Sequence, residues 1–226
     1  KILVAYRGRP APRDALIEAL WPQAEPKRAG ANLRVVLHSL QQTLKPRLPT
    51  TREASFVLTR GDMVYLDCPG SVWLDTVEFE RRAHQVSALI GQDKLVDALD
   101  ESEAAASLYR GEYLDDEPYS DWCLFERVRL RETYVDLLKK TAKLMAETGD
   151  ISNAIETCRA ILRVDSGREE IHRNLMRLLW SDCRGDEALR QFETCRRLLV
   201  GELGTEPSRE TVRTYETIRS RMSGGG

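Results

Sequence analysis

The sequence predicts a mainly α-helical chain: a small winged helix-turn-helix with a β-hairpin wing, followed by a tetratricopeptide-like helical-repeat domain. Three observations carry this. Two stretches of helical apolar period flank a short proline-bounded loop near the start. A β-type run breaks around Arg60-Gly61-Asp62. From about Thr76 onward the helical period continues, punctuated by glycines.

Residues 1–6 read as the last turns of a helix, with Arg7 and Gly8 as its stop and Gly suited to a left-handed cap. The first module is therefore expected to be incomplete at its N-terminus. Pro12 fits a first helical turn, and Leu16, Ile17, Leu20 and Trp21 form one apolar helix face ended by Pro22. A second helix is expected over 27–44. Ala29, Leu33, Leu37, Leu40 and Leu44 line one side, with Val36 beside them, and Lys27, Arg28, Ala31, Arg34, Val35, His38 and Gln42 line the other. A polar, mildly basic face with small residues suits a DNA major groove, where long cations reach phosphates and shorter side chains meet base edges. It also suits an ordinary solvated surface. The runs 56–59 and 63–66 predict a hairpin with Gly61 in the turn and Arg60 at the tip.

The later helices are expected over 76–90, 94–109, 121–148, 151–164, 168–183, 186–201 and 208–222, with Gly91, Gly111, Gly149, Gly167, Gly185 and Gly204 between or just after them. Short links between helices build antiparallel pairs and repeats. The internal echoes have no single period: Ala154-Ile155 and Ala188-Leu189 lie 34 apart, Gly149-Asp150 and Gly185-Asp186 36 apart, and Glu156-Thr157-Cys158-Arg159 recurs 37 residues on. Trp21 and Trp73 are read as core and domain-junction packing, and Asp115-Asp116-Glu117 as a solvated loop.

Composition narrows the function classes. With 42% apolar and 31% charged residues the chain can bury a globular core, and no apolar run approaches the ~20 residues of a membrane helix. Cys68, Cys123, Cys158, Cys183 and Cys195 are odd in number and show no CxxC spacing, so buried, reduced thiols in a cytoplasmic protein are expected rather than disulfides or zinc. His38, His84 and His172 lack metal-ligand spacing. No nucleotide-binding, hydrolase or metalloprotease motif is present. Neither an enzyme nor a bound metal or cofactor is expected. The net charge of −2 hides an asymmetry: residues 1–75 hold 11 Lys and Arg against 7 Asp and Glu, and residues 76–226 hold 23 against 29. A basic module joined to an acidic one is the pattern of a DNA reader with a protein-facing partner domain.

Two stretches carry a family likeness. Arg7-Gly8-Arg9-Pro10, Arg13 to Pro22 and Arg28 to Leu40 resemble the OmpR-like winged helix of SARP-type (antibiotic-regulatory-protein type) activators, although Gln41 and Gln42 stand where that family often has Arg. Val72-Trp73-Leu74-Asp75, Glu78-Phe79-Glu80, Tyr109 to Leu114, Trp122 and Leu203-Gly204-Thr205-Glu206-Pro207 are similar to the bacterial transcriptional activation domain that follows it. The resemblance implies a recognition helix at 27–44 and a wing at 56–66. Residues 1–75 would form the DNA-binding domain and 76–222 the tetratricopeptide-like activation domain, with 223–226 a linker or tail. It implies promoter direct repeats in double-stranded DNA and RNA polymerase as partners, with a homodimer or tandem protomers on DNA. Arg28, Asn32, Arg34, Val35, His38 and Arg60 are the DNA-contact candidates. The rival reading is a helical-repeat scaffold whose winged helix serves protein contacts or regulation.

Overall fold

The computed structural model describes residues 1–6, 8–44, 56–66, 73–117 and 120–223. The expectations for Arg7, Cys68, Val72 and the terminal glycines fall outside the described residues. The chain divides into two compact units: Lys1–Leu74 with Gly111–Leu130, and Asp75–Arg110 with Arg131–Gly226.

In the first unit α1 (Ile2–Ala5) is followed by β1 (Ala11–Pro12), α2 (Arg13–Leu20), α3 (Pro26–Thr43), β2 (Val57–Arg60) and β3 (Met63–Leu66). The three strands form an antiparallel sheet in the order β1-β3-β2, in which Ala11 pairs with Val64 and Arg60 with Met63. The hairpin loop is therefore Gly61-Asp62, and Gly61 takes the left-handed φ of +57° that a tight turn needs. Strand β1 is a departure from expectation. Pro12 lies in it with an extended ψ of 139° and precedes α2 as its cap. Two residues are too short a run for an alternating pattern to register. The Asp62 carbonyl accepts the Arg13 amide at 2.9 Å, tying the start of α2 to the hairpin turn.

Leu16 of α2, Leu33 and Leu37 of α3, and Ala11, Val57 and Val64 of the sheet make one buried cluster, with Ile17, Trp21 and Leu40 packed on it. Leu20, Val36 and Leu44 were expected on these apolar faces, yet all three are exposed, because the faces that meet the sheet are narrower than the apolar stripes. The segment Gly111–Leu130 contains a short 3₁₀ turn (Asp121–Cys123) and the start of α6 (Leu124–Glu147). The Arg127 guanidinium holds its loop by donating to the carbonyls of Tyr113, Leu114 and Glu117 at 3.0–3.1 Å. Lys1 pairs with Asp116 and Glu117, so this acidic run is not simply solvated.

The second unit holds α4 (Asp75–Gly91), α5 (Leu95–Ala106), the rest of α6, α7 (Ile151–Val164), α8 (Glu169–Ser181), α9 (Gly185–Glu202) and α10 (Arg209–Ser223). Its main core joins Val135, Ile155, Ile161, Ile171, Leu175, Met176, Leu179 and Phe192. Phe79 belongs to an aromatic cluster of this unit, 5.9 Å from Tyr109 and 6.4 Å from Tyr134, with the two tyrosines stacked at 4.1 Å. Trp73 is 63% exposed rather than packed.

The links between paired helices repeat one device. Asp93, Gly149 and Cys183 take left-handed φ values of 59°, 87° and 58°. The next amide bonds back five residues in each case: Lys94 to Leu89, Asp150 to Met145 and Arg184 to Leu179, at 2.8–3.0 Å. This is the Schellman closure of a helix end. In the α7 and α9 pairs it restores a single 34-residue period: Gly149 matches Cys183, and buried Ala154, Cys158 and Ile161 match Ala188, Phe192 and Cys195. The 36- and 37-residue echoes are out of this frame. Gly185 is not a link residue but the first of α9. A β-carbon there would fall 2.7 Å from the sulfur of Met222 on α10, an exposed and flexible side chain that would have to shift. Among the described residues no helix is long and apolar enough to cross a membrane.

Candidate nucleic-acid interface

Helix α3 starts on Pro26, whose missing amide hydrogen costs nothing in a first turn. Its 18 residues include Lys27, Arg28 and Arg34 and no carboxylate, in a chain with 36 acidic residues. Ala29, Leu33 and Leu37, at helical spacing, are buried, Leu33 and Leu37 against α2 and the sheet, and fix which side faces out. On the outward side Arg28, Arg34, Val35 and His38 are exposed, Val35 at 69%, while Asn32 is half-buried at its margin. Gly30 and Ala31 keep the helix surface low beside them. Among the described residues no carboxylate neutralises Arg28 or Arg34.

Five of the six candidates thus share one helix surface. Arg60 stands apart on the last position of β2 and is exposed. Its guanidinium lies 5.8 Å from the centre of the Tyr65 ring, a cation–π contact that draws it along the hairpin rather than straight off its tip. The structural role of Gln41 was not legible in the sequence. Its side-chain amide donates to the Val57 carbonyl at 2.8 Å and so joins the end of α3 to β2. Gln42, next to it, is exposed.

Among the described residues no three His, Cys, Asp or Glu side chains converge as metal ligands do. Cys123, Cys158 and Cys195 are buried free thiols, whereas Cys183, expected buried, is exposed because it forms the left-handed link after α8; burial pushes the Cys158 and Cys195 thiols up to about 11. Cys158 and Cys195 therefore stay protonated and pack as small apolar groups. Cys68 lies outside the described residues.

A winged helix with an exposed cationic helix, accompanied by helical repeats, is the architecture of a transcription regulator. Residues 74–219 match the bacterial transcriptional activator domain family, and the chain belongs to it as a SARP-type activator. It is 28% identical over 205 residues to the regulatory protein AfsR of Streptomyces coelicolor, covering 91% of this chain and 20% of that protein. Over 220 residues it is 28% identical to the regulatory protein AfsR of Streptomyces griseus, covering 96% and 21%. The chain thus spans about a fifth of the length of these curated relatives. Among solved structures, Mycobacterium tuberculosis EmbR in complex with a low affinity phosphopeptide shares the fold, with a TM-score of 0.80, 22% identity, and coverage of 97% of this chain and 57% of that one. The family is one of transcription regulators rather than of enzymes.

Proposed function

We propose that this chain is the DNA-reading and activating part of a cytoplasmic, sequence-specific transcriptional activator. In this reading residues 1–75 act as the DNA-binding domain and 76–222 as the activation domain. Helix α3 enters the major groove of promoter direct repeats: Arg28 and Arg34 reach phosphates or guanine edges, Asn32 and His38 meet base edges, and Val35 meets a thymine methyl. Arg60 follows the neighbouring backbone from the wing. Protomers stand in tandem on the repeats, and the helical unit helps recruit RNA polymerase. The observation that carries this reading is an 18-residue helix with three cations and no carboxylate, anchored on one side and open on the other.

The test is a titration of a labelled promoter duplex with the full protein at several salt concentrations. If 4–6 phosphates are neutralised, log affinity should fall against log salt with a slope of about −4 to −5. A slope near zero would remove the electrostatic basis of the proposal. The scaffold reading would then be preferred, with the winged helix serving protein contacts.

A further inference from the structure

The second unit, Asp75–Arg110 with Arg131–Gly226, is weakly acidic in total, with 21 Lys and Arg against 24 Asp and Glu. One part of its surface reverses that sign. A groove of about 470 Å³ lies between α6 and α8, rimmed by Lys139, Lys140, Lys143 and Arg177, with Glu170 as its single carboxylate. Its floor is apolar, made by Ala142, Cys158, Ile161, Ile171 and Leu178. Lys140 and Lys143 also line a basin of about 240 Å³ toward α4, where Ile90 and Leu144 lie. Arg177 also lines one of about 420 Å³ toward α10, with Arg213 and Arg221 on its walls. The three basins therefore join through shared cations into one trough across α4, α6, α8 and α10.

The cations are incompletely answered. Lys140 donates to the Ser87 hydroxyl at 2.8 Å and meets no carboxylate among the described residues. Lys143 is 77% exposed and only 3.7 Å from Glu147. Lys139 pairs with Glu170 at 3.1 Å and Arg177 with Glu210 at 3.3 Å, both at solvent-exposed positions where water screens the attraction.

We infer that this trough is a docking site for an acidic segment of a partner protein that carries aliphatic side chains. Charge complementarity selects the anion: the trough holds six cations, Lys139, Lys140, Lys143, Arg177, Arg213 and Arg221, against three carboxylates, Glu147, Glu170 and Glu210. The aliphatic α6–α8 floor favours a peptide over a nucleic acid, since single strands are held by aromatic platforms for their bases, and the trough's one aromatic lining residue, Trp180, lies in the α8–α10 basin. A small free anion would gain nothing from that floor. The site is separate from the outward face of α3, and the inference stands whether or not that face reads DNA.

The experiment uses the full chain and a fluorescein-labelled twelve-residue peptide of Asp and Glu with Leu at every fourth position, followed by fluorescence anisotropy. Saturable binding is expected. It should weaken about tenfold or more in the double variant Lys143→Glu, Arg177→Glu, because two rim attractions become repulsions. Replacing the peptide leucines with serine should weaken it too, and Arg34→Ala should leave it unchanged. If the double variant loses helical circular dichroism, Lys143→Gln with Arg177→Gln takes its place, with the same direction expected. Any of four results overturns the inference: no saturable binding, binding indifferent to the rim variants, equal binding of a peptide with Lys in place of its acids, or a single-stranded oligonucleotide that outcompetes the peptide on the same residues.

Discussion

Arg34 and Leu37 stand three residues apart on α3 and have opposite surroundings. Arg34 is exposed, while Leu37 is 7% exposed and sits in the core of the first unit. Arg34→Ala should weaken duplex binding and leave the melting temperature nearly unchanged. Leu37→Ala should cost about 2–5 kcal/mol of stability through the cavity it leaves. Thermal melts paired with a mobility shift would show this, and the reverse assignment of effects would mean that α3 is turned the other way. His172 gives a second residue-scale test. It is 2% exposed in the second unit, its Nε2 lies 2.8 Å from the Ser166 carbonyl, and its Nδ1 meets the Gln191 amide. Burial holds its pKa below the usual histidine value, against the opposing pull of the Ser166 carbonyl and Glu169. The neutral ring is thus the folded form. As pH falls below the unfolded value of roughly 6.5, the unfolded chain takes up the proton first. Stability is therefore full above that pH and is lost as pH falls toward the depressed folded value. Denaturant midpoints between neutral and mildly acidic pH should fall, with a flatter dependence in His172→Gln; equal slopes would assign the loss to other groups.

At the scale of elements, the three Schellman links make a separable prediction. Asp93 and Cys183 hold left-handed backbone that glycine occupies without a β-carbon clash, and Gly149 already does. Asp93→Gly and Cys183→Gly should each raise stability by roughly 0.5–1 kcal/mol, the left-handed penalty relieved less the entropy of a freer unfolded chain. Gly149→Ala should lower it by about 1–2 kcal/mol. Chemical denaturation of the three variants would check the signs, and a loss in both glycine variants would show that other contacts set those links. In the first unit Gln41→Ala removes the bond between α3 and β2 and should cost about 1 kcal/mol. The hairpin offers a functional test as well. Arg60→Ala should weaken duplex binding at low salt more than at high salt, since an exposed cation acts mainly through screened attraction. Unchanged affinity at low salt would exclude the wing from the interface.

For the whole molecule, the division of the chain matters to how it is dissected. Gly111–Leu130 counts with the first unit, and Arg127 organises its loop there. A chain ended after Leu74 loses this segment and should melt at a lower temperature than the first unit does within the full chain. Point variants on α3 are therefore the better test of DNA reading than truncation. By itself, the sequence determined the elements whose period is long and whose surroundings repeat: seven helices after Thr76, the hairpin with Gly61 in its turn, and the buried line Ala29, Leu33, Leu37. It also showed the outward basic face of α3, because a helix anchored along one line must present the opposite residues to solvent. Only the tertiary structure decided the rest. Strand β1 exists because β3 offers it a partner, not because two residues have a preference. The Ala154 and Ala188 echo showed a 34-residue spacing among others, and the left-handed links at Gly149 and Cys183 single it out; only one of the two is glycine, so glycine spacing could not. Gly185 meets Met222, 37 residues away, and the cations of the α6–α8 trough converge from separate helices. Local period reports how a segment contacts its surroundings, whereas these features depend on which distant segments the folded chain brings to it.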